Sequence, residues 1–170
     1  QSAMVVVDAV VSQVAPLLHR MLGPAQALRV ELAAPDQLLR LDPANLELAL
    51  LNLVANARDA MPDGGTVLIS TQVVDEAPGL DAPAPRVATR FVLITVRDTG
   101  VGIAPQDQAR IFQTFFRAPW PGETAAPQGL GLGLSAVARV CSERGWALGV
   151  RSRPGRGSVF FLDIPLMGVE

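Results

Sequence analysis

Two asparagines and an aspartate stand where they could hold a metal ion. Asn52, Asn56 and Asp59 lie in residues 42–61, whose apolar spacing predicts a long helix. At 100° per residue the three side chains fall within about 60° of one another. Asparagine is a poor helix former, so a further interaction is expected to keep both in place. Amide oxygens can bind Mg²⁺ without adding charge beside phosphates, but hydrogen bonding inside the fold would explain the pattern equally well.

An acidic residue and two glycines follow a predicted strand. The run is Asp98, Thr99, Gly100, Val101, Gly102 and Ile103. Glycines two positions apart let the backbone pass close to a flat ligand because they carry no Cβ. An aspartate held at that point can accept a hydrogen bond from an exocyclic amine such as that of adenine. An ordinary turn after a strand is the alternative interpretation.

Alternating glycines lead into another predicted helix. Residues 129–135 read Gly-Leu-Gly-Leu-Gly-Leu-Ser, and helical spacing continues to residue 144. Successive N–H groups and the positive end of the helix dipole would meet there, which favours phosphate binding. The run is not a Walker loop, since no Gly-Lys-Ser/Thr follows, and not a dinucleotide fingerprint, since no strand precedes it. A glycine-rich hinge with its leucines packed inward is the alternative.

The surrounding patterns predict the elements that hold these segments. Helices are expected over residues 4–22, 42–61, 106–112 and 133–144, and extended runs over 28–32, 38–41, 66–74, 87–97, 147–152 and 158–164. Residues 75–86 and 117–128, rich in proline and glycine, predict loops. On the long helix, a stripe of Leu46, Leu50, Leu53, Ala57 and Met61 is expected to face the sheet. We therefore predict one α+β domain, a two-layer sandwich in which three helices cover one face of a mixed, mainly antiparallel sheet of about five strands.

Composition limits the partners. The net charge is −2 and the charged residues are scattered along the chain, which argues against a nucleic-acid groove. All 14 residues in the Lys-plus-Arg total are arginine, so any phosphate contact from a cationic side chain is expected to be a guanidinium. No apolar run reaches the roughly 18 residues of a membrane helix. We expect a soluble, cytoplasmic piece without membrane contact, although the full-length protein could carry an anchor elsewhere. The sole cysteine, Cys141, is expected to be a buried apolar residue and fits a reducing compartment.

Together, these segments resemble the histidine-kinase branch of the ATPase superfamily shared with gyrase and the Hsp90 chaperone. The matching boxes are the asparagine box ending in Asn-Ala-Arg-Asp-Ala-Met at residues 56–61, a glycine box at 98–103, a phenylalanine box at 111–116 and a second glycine box at 129–135. Residues 154–161 resemble the last turn and strand of that domain. The resemblance covers nearly the whole chain and implies the Bergerat fold, with a mobile ATP lid at about residues 113–130.

The resemblance also implies cofactors, ATP or ADP with Mg²⁺, and a role for each matching residue. Asn56 and Asn52 would hold the metal, and Asn52 and Arg117 would be the catalytic positions. Asp98 would bind the adenine amine, and the glycines of residues 129–133 would contact the phosphates. The full set of implied nucleotide contacts is Asn56, Asp59, Asp98, Gly100, Gly102, Ile103, Phe112, Gly129, Leu130, Gly131, Leu132, Gly133 and Leu134.

Departures from the family pattern bear on affinity and on the reaction. Asp59 stands where many members have lysine, Leu130 where threonine or serine is common, and residues 113–114 read Gln-Thr where Glu-Pro is usual. In gyrase-like members a glutamate four residues before the metal-binding asparagine activates water. Asn52 occupies that position here and cannot act as a base, and Glu47 points about 180° away around the helix. The nucleophile is therefore expected to come from elsewhere, which suits transfer to a histidine.

The implied reaction is transfer of the γ-phosphate of Mg-ATP to a histidine on the kinase's own dimerisation domain, expected to lie outside this chain, and then to a response regulator. His19 lacks the acidic residue that normally follows an acceptor histidine, so we expect it to be structural or exposed. The isolated domain is expected to be a monomer. Two alternatives stay open: a degenerate domain that binds nucleotide or a regulatory ligand without transfer, and an anti-sigma-type serine kinase.

Overall fold

A computed structural model describes residues 1–75, 90–114, 116 and 133–166. In chain order the elements are β1 (Ala3–Val6), α1 (Val7–Met21), β2 (Gln26–Ala33), β3 (Leu38–Leu41), α2 (Pro43–Asp59), β4 (Gly65–Val74), β5 (Arg90–Asp98), α3 (Pro105–Gln108), α4 (Gly133–Arg144), β6 (Ala147–Arg153) and β7 (Gly157–Leu166). Residues 76–86 of the loop predicted over 75–86, the loop predicted over 117–128 and most of the predicted lid at 113–130 lie outside the described residues.

A five-stranded sheet in the order β2-β4-β5-β7-β6 forms one layer. β2 and β4 pair in parallel, and the other neighbours pair antiparallel. Helices α1, α2 and α4 form the second layer, and their apolar side chains make one core with alternate residues of β4, β5 and β7. The predicted stripe of α2 is buried, with Leu46, Leu50 and Leu53 at 0% exposure and Ala57 and Met61 at 1%. The predicted α+β class and two-layer arrangement are confirmed.

The first predicted helix begins later than expected. Residues 3–6 form strand β1, which pairs antiparallel with β3 in a separate two-stranded sheet, so the prediction of a helix from residue 4 was wrong. Three consecutive valines, Val5 to Val7, span the junction. Apolar β-branched residues fit a strand as well as a helix face, and only the partner strand β3 decides between them.

The ends of α2 carry the contacts that fix its position. Asp42 caps the first turn as predicted, because its side chain accepts a hydrogen bond from the Ala44 N–H at 3.0 Å. The helix ends at Asp59 rather than Met61. Gln26 then closes this end, since its Nε2 donates to the carbonyls of Arg58 at 3.0 Å and Met61 at 2.8 Å. The C-terminal end of α2 is thereby tied to the start of β2.

Two smaller expectations concern α3 and the cysteine. The short helix predicted over residues 106–112 is α3, Pro105–Gln108, and turns follow it. Cys141 is buried in α4, and desolvation raises the pKa of its thiol to about 12, in agreement with a packing role. Across the described ranges, no helix combines the length and apolar character required to cross a bilayer.

Candidate functional site

Asp98, the last residue of β5, is the buried acidic residue of the candidate site. Its side chain is 2% exposed and accepts a hydrogen bond from the Gly100 N–H at 2.9 Å. Burial raises the pKa of this carboxyl, and backbone N–H groups of Gly100 and Ser158 act in the opposite direction. Each carboxylate oxygen can accept more than one hydrogen bond, so Asp98 retains capacity for a further donor.

The two glycines after Asp98 are required by close backbone contacts. A Cβ on Gly100 would overlap the carbonyl oxygen of Ala60, and the next N–H, of Val101, donates to that carbonyl at 3.0 Å. Gly102 has a φ of +75°, and a Cβ there would overlap the carbonyl of Arg153. The loop after β5 therefore lies against both the end of α2 and the β6–β7 turn. The sequence explains these two glycines by the close approach of a ligand, and the structure adds close contacts within the chain as a second reason.

Sequence reasoning missed a polar network that fixes this loop. The hydroxyl of Ser152 accepts a hydrogen bond from the Ile103 N–H at 2.7 Å, donates to the Gly157 carbonyl at 3.0 Å and lies 2.7 Å from the Ser158 hydroxyl. Gln108 adds two bonds, since its Nε2 is 3.0 Å from the carbonyls of both Ile103 and Ser152. A serine near the end of a strand and a glutamine at the end of a short helix give no local signal for this role, because most of their partners are distant in the chain.

Asn52 lies beside the start of α4. Its Nδ2 donates to the Leu48 carbonyl at 2.9 Å, which fixes the orientation of the amide. Its Oδ1 points towards α4, and would be 3.1 Å from a Cβ placed on Gly133, the first residue of that helix. The first turn of α4 carries no acidic side chain, so its positive dipole end is not compensated by the helix itself. A neutral oxygen acceptor and a helix N-terminus thus adjoin.

The long helix α2 connects the two halves of the site. Asn52 adjoins the start of α4, and Ala60, eight residues further on, adjoins the loop after Asp98. Eight helical residues span about 12 Å, a separation that one extended nucleotide can bridge. Asn56 lies between these points and is partly exposed. The structure therefore brings the described parts of three predicted segments to one side of α2.

The remaining described candidates have more ordinary contacts. Asp59 pairs with the neighbouring Arg58, Nε to Oδ1 at 3.1 Å, at the partly exposed end of α2. Phe112 packs edge-on against Phe160 of the core, with ring centroids 6.1 Å apart. Ile103 and Leu134 also pack against the core. Arg117, Gly129, Leu130, Gly131 and Leu132, predicted as catalytic or nucleotide-binding, lie outside the described residues.

Comparison with known families defines the class of this α+β domain. Residues 41–168 match the family described as histidine kinase-, DNA gyrase B-, and HSP90-like ATPase, and the chain belongs to that family. The sensor-like histidine kinase SenX3 of Mycobacterium bovis is 36% identical over 162 residues, or 95% of this chain. The match covers 36% of SenX3, so this chain corresponds to only part of such a protein.

Solved structures agree with this assignment. Full-length ShkA in complex with AMPPNP is similar with a TM-score of 0.77 and 27% identity, over 99% of this chain and 32% of that one. A mycobacterial sensor histidine kinase, MprB, has the same fold, with a TM-score of 0.73 at 23% identity over 99% of this chain and 100% of that one. The chain is thus an ATP-binding domain of the histidine-kinase type.

Proposed function

We propose that this single domain binds Mg-ATP across α2 and presents its γ-phosphate to a histidine on a dimerisation domain of the same protein. The acceptor would then supply phosphate to a response regulator in two-component signalling. The observation that carries the proposal is the position of α2, which adjoins the buried Asp98 loop at one end and the start of α4 near the other.

The adenine end of the site is assigned to Asp98. A carboxylate that is 2% exposed makes a strong hydrogen bond to an exocyclic amine, because little water competes for it. Its orientation is held by the Gly100 N–H at 2.9 Å, while Gly102 lets the loop lie flat against the Arg153 backbone. The chain's own backbone makes these contacts, and such internal contacts lower the ordering cost of binding.

The phosphate end is assigned to the start of α4 and to the asparagines of α2. The uncompensated helix dipole at Gly133 favours an anion. Oxygen ligands suit Mg²⁺, and Asn52 directs its Oδ1 to this side while Asn56 lies one turn further along α2. Mg²⁺ would neutralise phosphate charge there. Two neutral amides can hold it without the repulsion that carboxylates would add beside the phosphates.

The same residues favour transfer over hydrolysis. Asn52 is an amide and has no basic lone pair with which to deprotonate water. An incoming imidazole needs no such base, because its nitrogen lone pair attacks phosphorus directly. The N–P bond forms as the bond to the bridging oxygen breaks, ADP leaves with that electron pair, and the other ring nitrogen releases its proton. His19 is exposed on α1 and is followed by Arg20, so we place the acceptor elsewhere.

The test uses the chain, γ-labelled ATP with Mg²⁺, and the histidine-bearing domain of the same protein produced separately. We expect label on the acceptor that is lost in acid and retained in base, which is the behaviour of phosphohistidine. Replacement of Asn56 by alanine should abolish transfer. Nucleotide binding without transfer would favour a silent regulatory domain, and acid-stable label would favour a serine kinase; either result contradicts the proposal. We also propose that the isolated chain is a monomer in a cytoplasmic setting.

A further inference from the structure

The loop after Asp98 is held at its far end by two side chains. The N–H of Ile103 donates to the Ser152 hydroxyl at 2.7 Å, and the carbonyl of Ile103 accepts from Nε2 of Gln108 at 3.0 Å. The same Nε2 also donates to the Ser152 carbonyl at 3.0 Å. Gln108 is the last residue of α3, so its amide joins the loop and β6 to the end of this short helix.

The middle of this loop is anchored in a different way. The N–H of Val101 donates to the Ala60 carbonyl at 3.0 Å, and the carbonyl of Val101 accepts from the Gly155 N–H at 2.8 Å. Both contacts join backbone groups, so a side-chain substitution leaves their donors and acceptors in place. The Ile103 end, by contrast, depends on side chains. It is therefore the end of the loop that a single substitution can release.

The contact of Gln108 needs two N–H groups on one atom. A glutamine amide nitrogen carries two hydrogens, and two carbonyl oxygens lie at 3.0 Å from it here. Glutamate has the same length and shape, but its ionised form offers only acceptors and would turn an oxygen towards both carbonyls. Methionine has a similar length and no N–H group. The contact therefore depends on the amide of Gln108 rather than on the volume of its side chain.

Packing in the core does not explain the position of Gln108. Within α3, residues 105–108, all of which the structure describes, no side chain is buried, and Gln108 is half-buried. Large losses of stability come mainly from cavities in a core, and replacement of a half-buried side chain of this helix does not create one. The contact is therefore expected to act locally, on the loop that ends at Ile103.

We propose that Gln108 is a positioning residue of the nucleotide site, which acts through Ile103 to hold residues 99–103 in the conformation that receives adenine beside Asp98. This inference deepens the proposed function and rests on it. A nucleotide that binds one loop conformation loses apparent affinity in proportion to the fraction of chains that have this conformation. Gln108 raises that fraction through the loop rather than through a contact of its own with the nucleotide.

The test is a calorimetric titration of the 170-residue chain with ADP in the presence of Mg²⁺. Gln108→Met and Gln108→Glu should each raise the dissociation constant about tenfold, because two carbonyls lose their donor and the loop leaves its binding conformation more often. The number of sites per chain should not change. A merely structural role predicts the opposite, since unfolded chains lower the number of sites and leave the dissociation constant of the folded ones unaltered. The matched controls Gln106→Met and Gln106→Glu change an exposed glutamine of the same helix and should bind ADP as the unaltered chain does.

Amide hydrogen exchange provides a second, local readout. In Gln108→Met the N–H of Ile103 should exchange faster than in the unaltered chain, and saturation with ADP should slow it again. The N–H of Ile94, a buried residue in the middle of β5, should exchange at its original rate. This pair of amides distinguishes a loosened loop from a chain that unfolds more often as a whole.

The possible results separate this inference from the proposed function. Unaltered ADP affinity in either Gln108 variant, while Asp98→Asn weakens binding, would overturn this inference alone. Equal acceleration of exchange at Ile103 and Ile94 would assign Gln108 to global stability and would overturn it as well. If the unaltered chain binds no ADP, the proposed function fails and the positioning role fails with it.

Discussion

Replacement of Asp98 by asparagine separates nucleotide binding from folding. In the unaltered chain the Gly100 N–H donates to the Asp98 carboxylate at 2.9 Å. The Oδ1 of an asparagine can accept the same hydrogen bond, so the loop keeps its main contact. The new amide group offers a donor where the adenine amine also donates. We therefore expect the substitution to weaken ADP binding without loosening the fold.

The size of the effect follows from the contact that is lost. A hydrogen bond to a charged group contributes about 1.5–3 kcal/mol, and each 1.4 kcal/mol changes a dissociation constant tenfold. ADP should bind about 10- to 100-fold more weakly. The free energy of unfolding should instead rise in the variant. Because burial raises the pKa of Asp98, this group's contribution to stability falls as pH rises through the ordinary pKa towards the raised one. At neutral pH the ionised group opposes folding, and asparagine removes that charge.

Calorimetric titration with ADP and chemical denaturation of the same samples measure both quantities. The control is Asp36→Asn, an exposed aspartate away from the site, which should change neither. In the unaltered chain, ADP binding should weaken as the pH falls and Asp98 becomes protonated. This should begin at a higher pH than for an ordinary aspartate, because the pKa of Asp98 is raised. This extra dependence should vanish in Asp98→Asn. Unchanged ADP affinity in the variant, with a folded chain, would refute the adenine assignment.

Three further substitutions or reactions probe the contacts around the site. Gly100→Ala should lower the free energy of unfolding, measured by urea denaturation, by about 1–3 kcal/mol because the new Cβ overlaps the Ala60 carbonyl. The control Gly23→Ala should leave it unchanged, because a Cβ there would lie at an ordinary 3.6 Å from the nearest atom, the side-chain oxygen of Gln26. Ser152→Ala should cost about 1–3 kcal/mol and weaken ADP binding, because the Ile103 N–H loses its acceptor at 2.7 Å, and exposed Ser142→Ala should do neither. Cys141, with a thiol pKa of about 12, should react with a thiol reagent only as the chain unfolds; rapid labelling of the native chain would contradict its burial.

Sequence alone predicted the elements whose signals are local. The Leu46-to-Met61 stripe has a clean helical period, and all its members are buried. Asp42 followed by Pro43 marks the start of α2, and alternating glycines mark the start of α4 at Gly133. Each of these signals acts within one or two turns of the chain.

Features that depend on distant partners could not be predicted in this way. Strand β1 exists because residues 3–6 pair with β3, some 35 positions away. The hydrogen bond from Ile103 to Ser152 crosses 49 positions. The position of Arg97 opposite Leu68 and Val159 depends on the registers of three strands, and a shift of one residue in β5 would move it to the opposite face.

The most direct measurement of the shared nucleotide site is a titration of the isotope-labelled chain with Mg-ADP, followed by two-dimensional NMR. We predict that the side-chain amides of Asn52 and Asn56 and the backbone N–H groups of Gly100 and Gly133 shift together, with one common dissociation constant. Shifts at only one of these segments, or different constants at the two ends of α2, would contradict a single nucleotide bound along this helix.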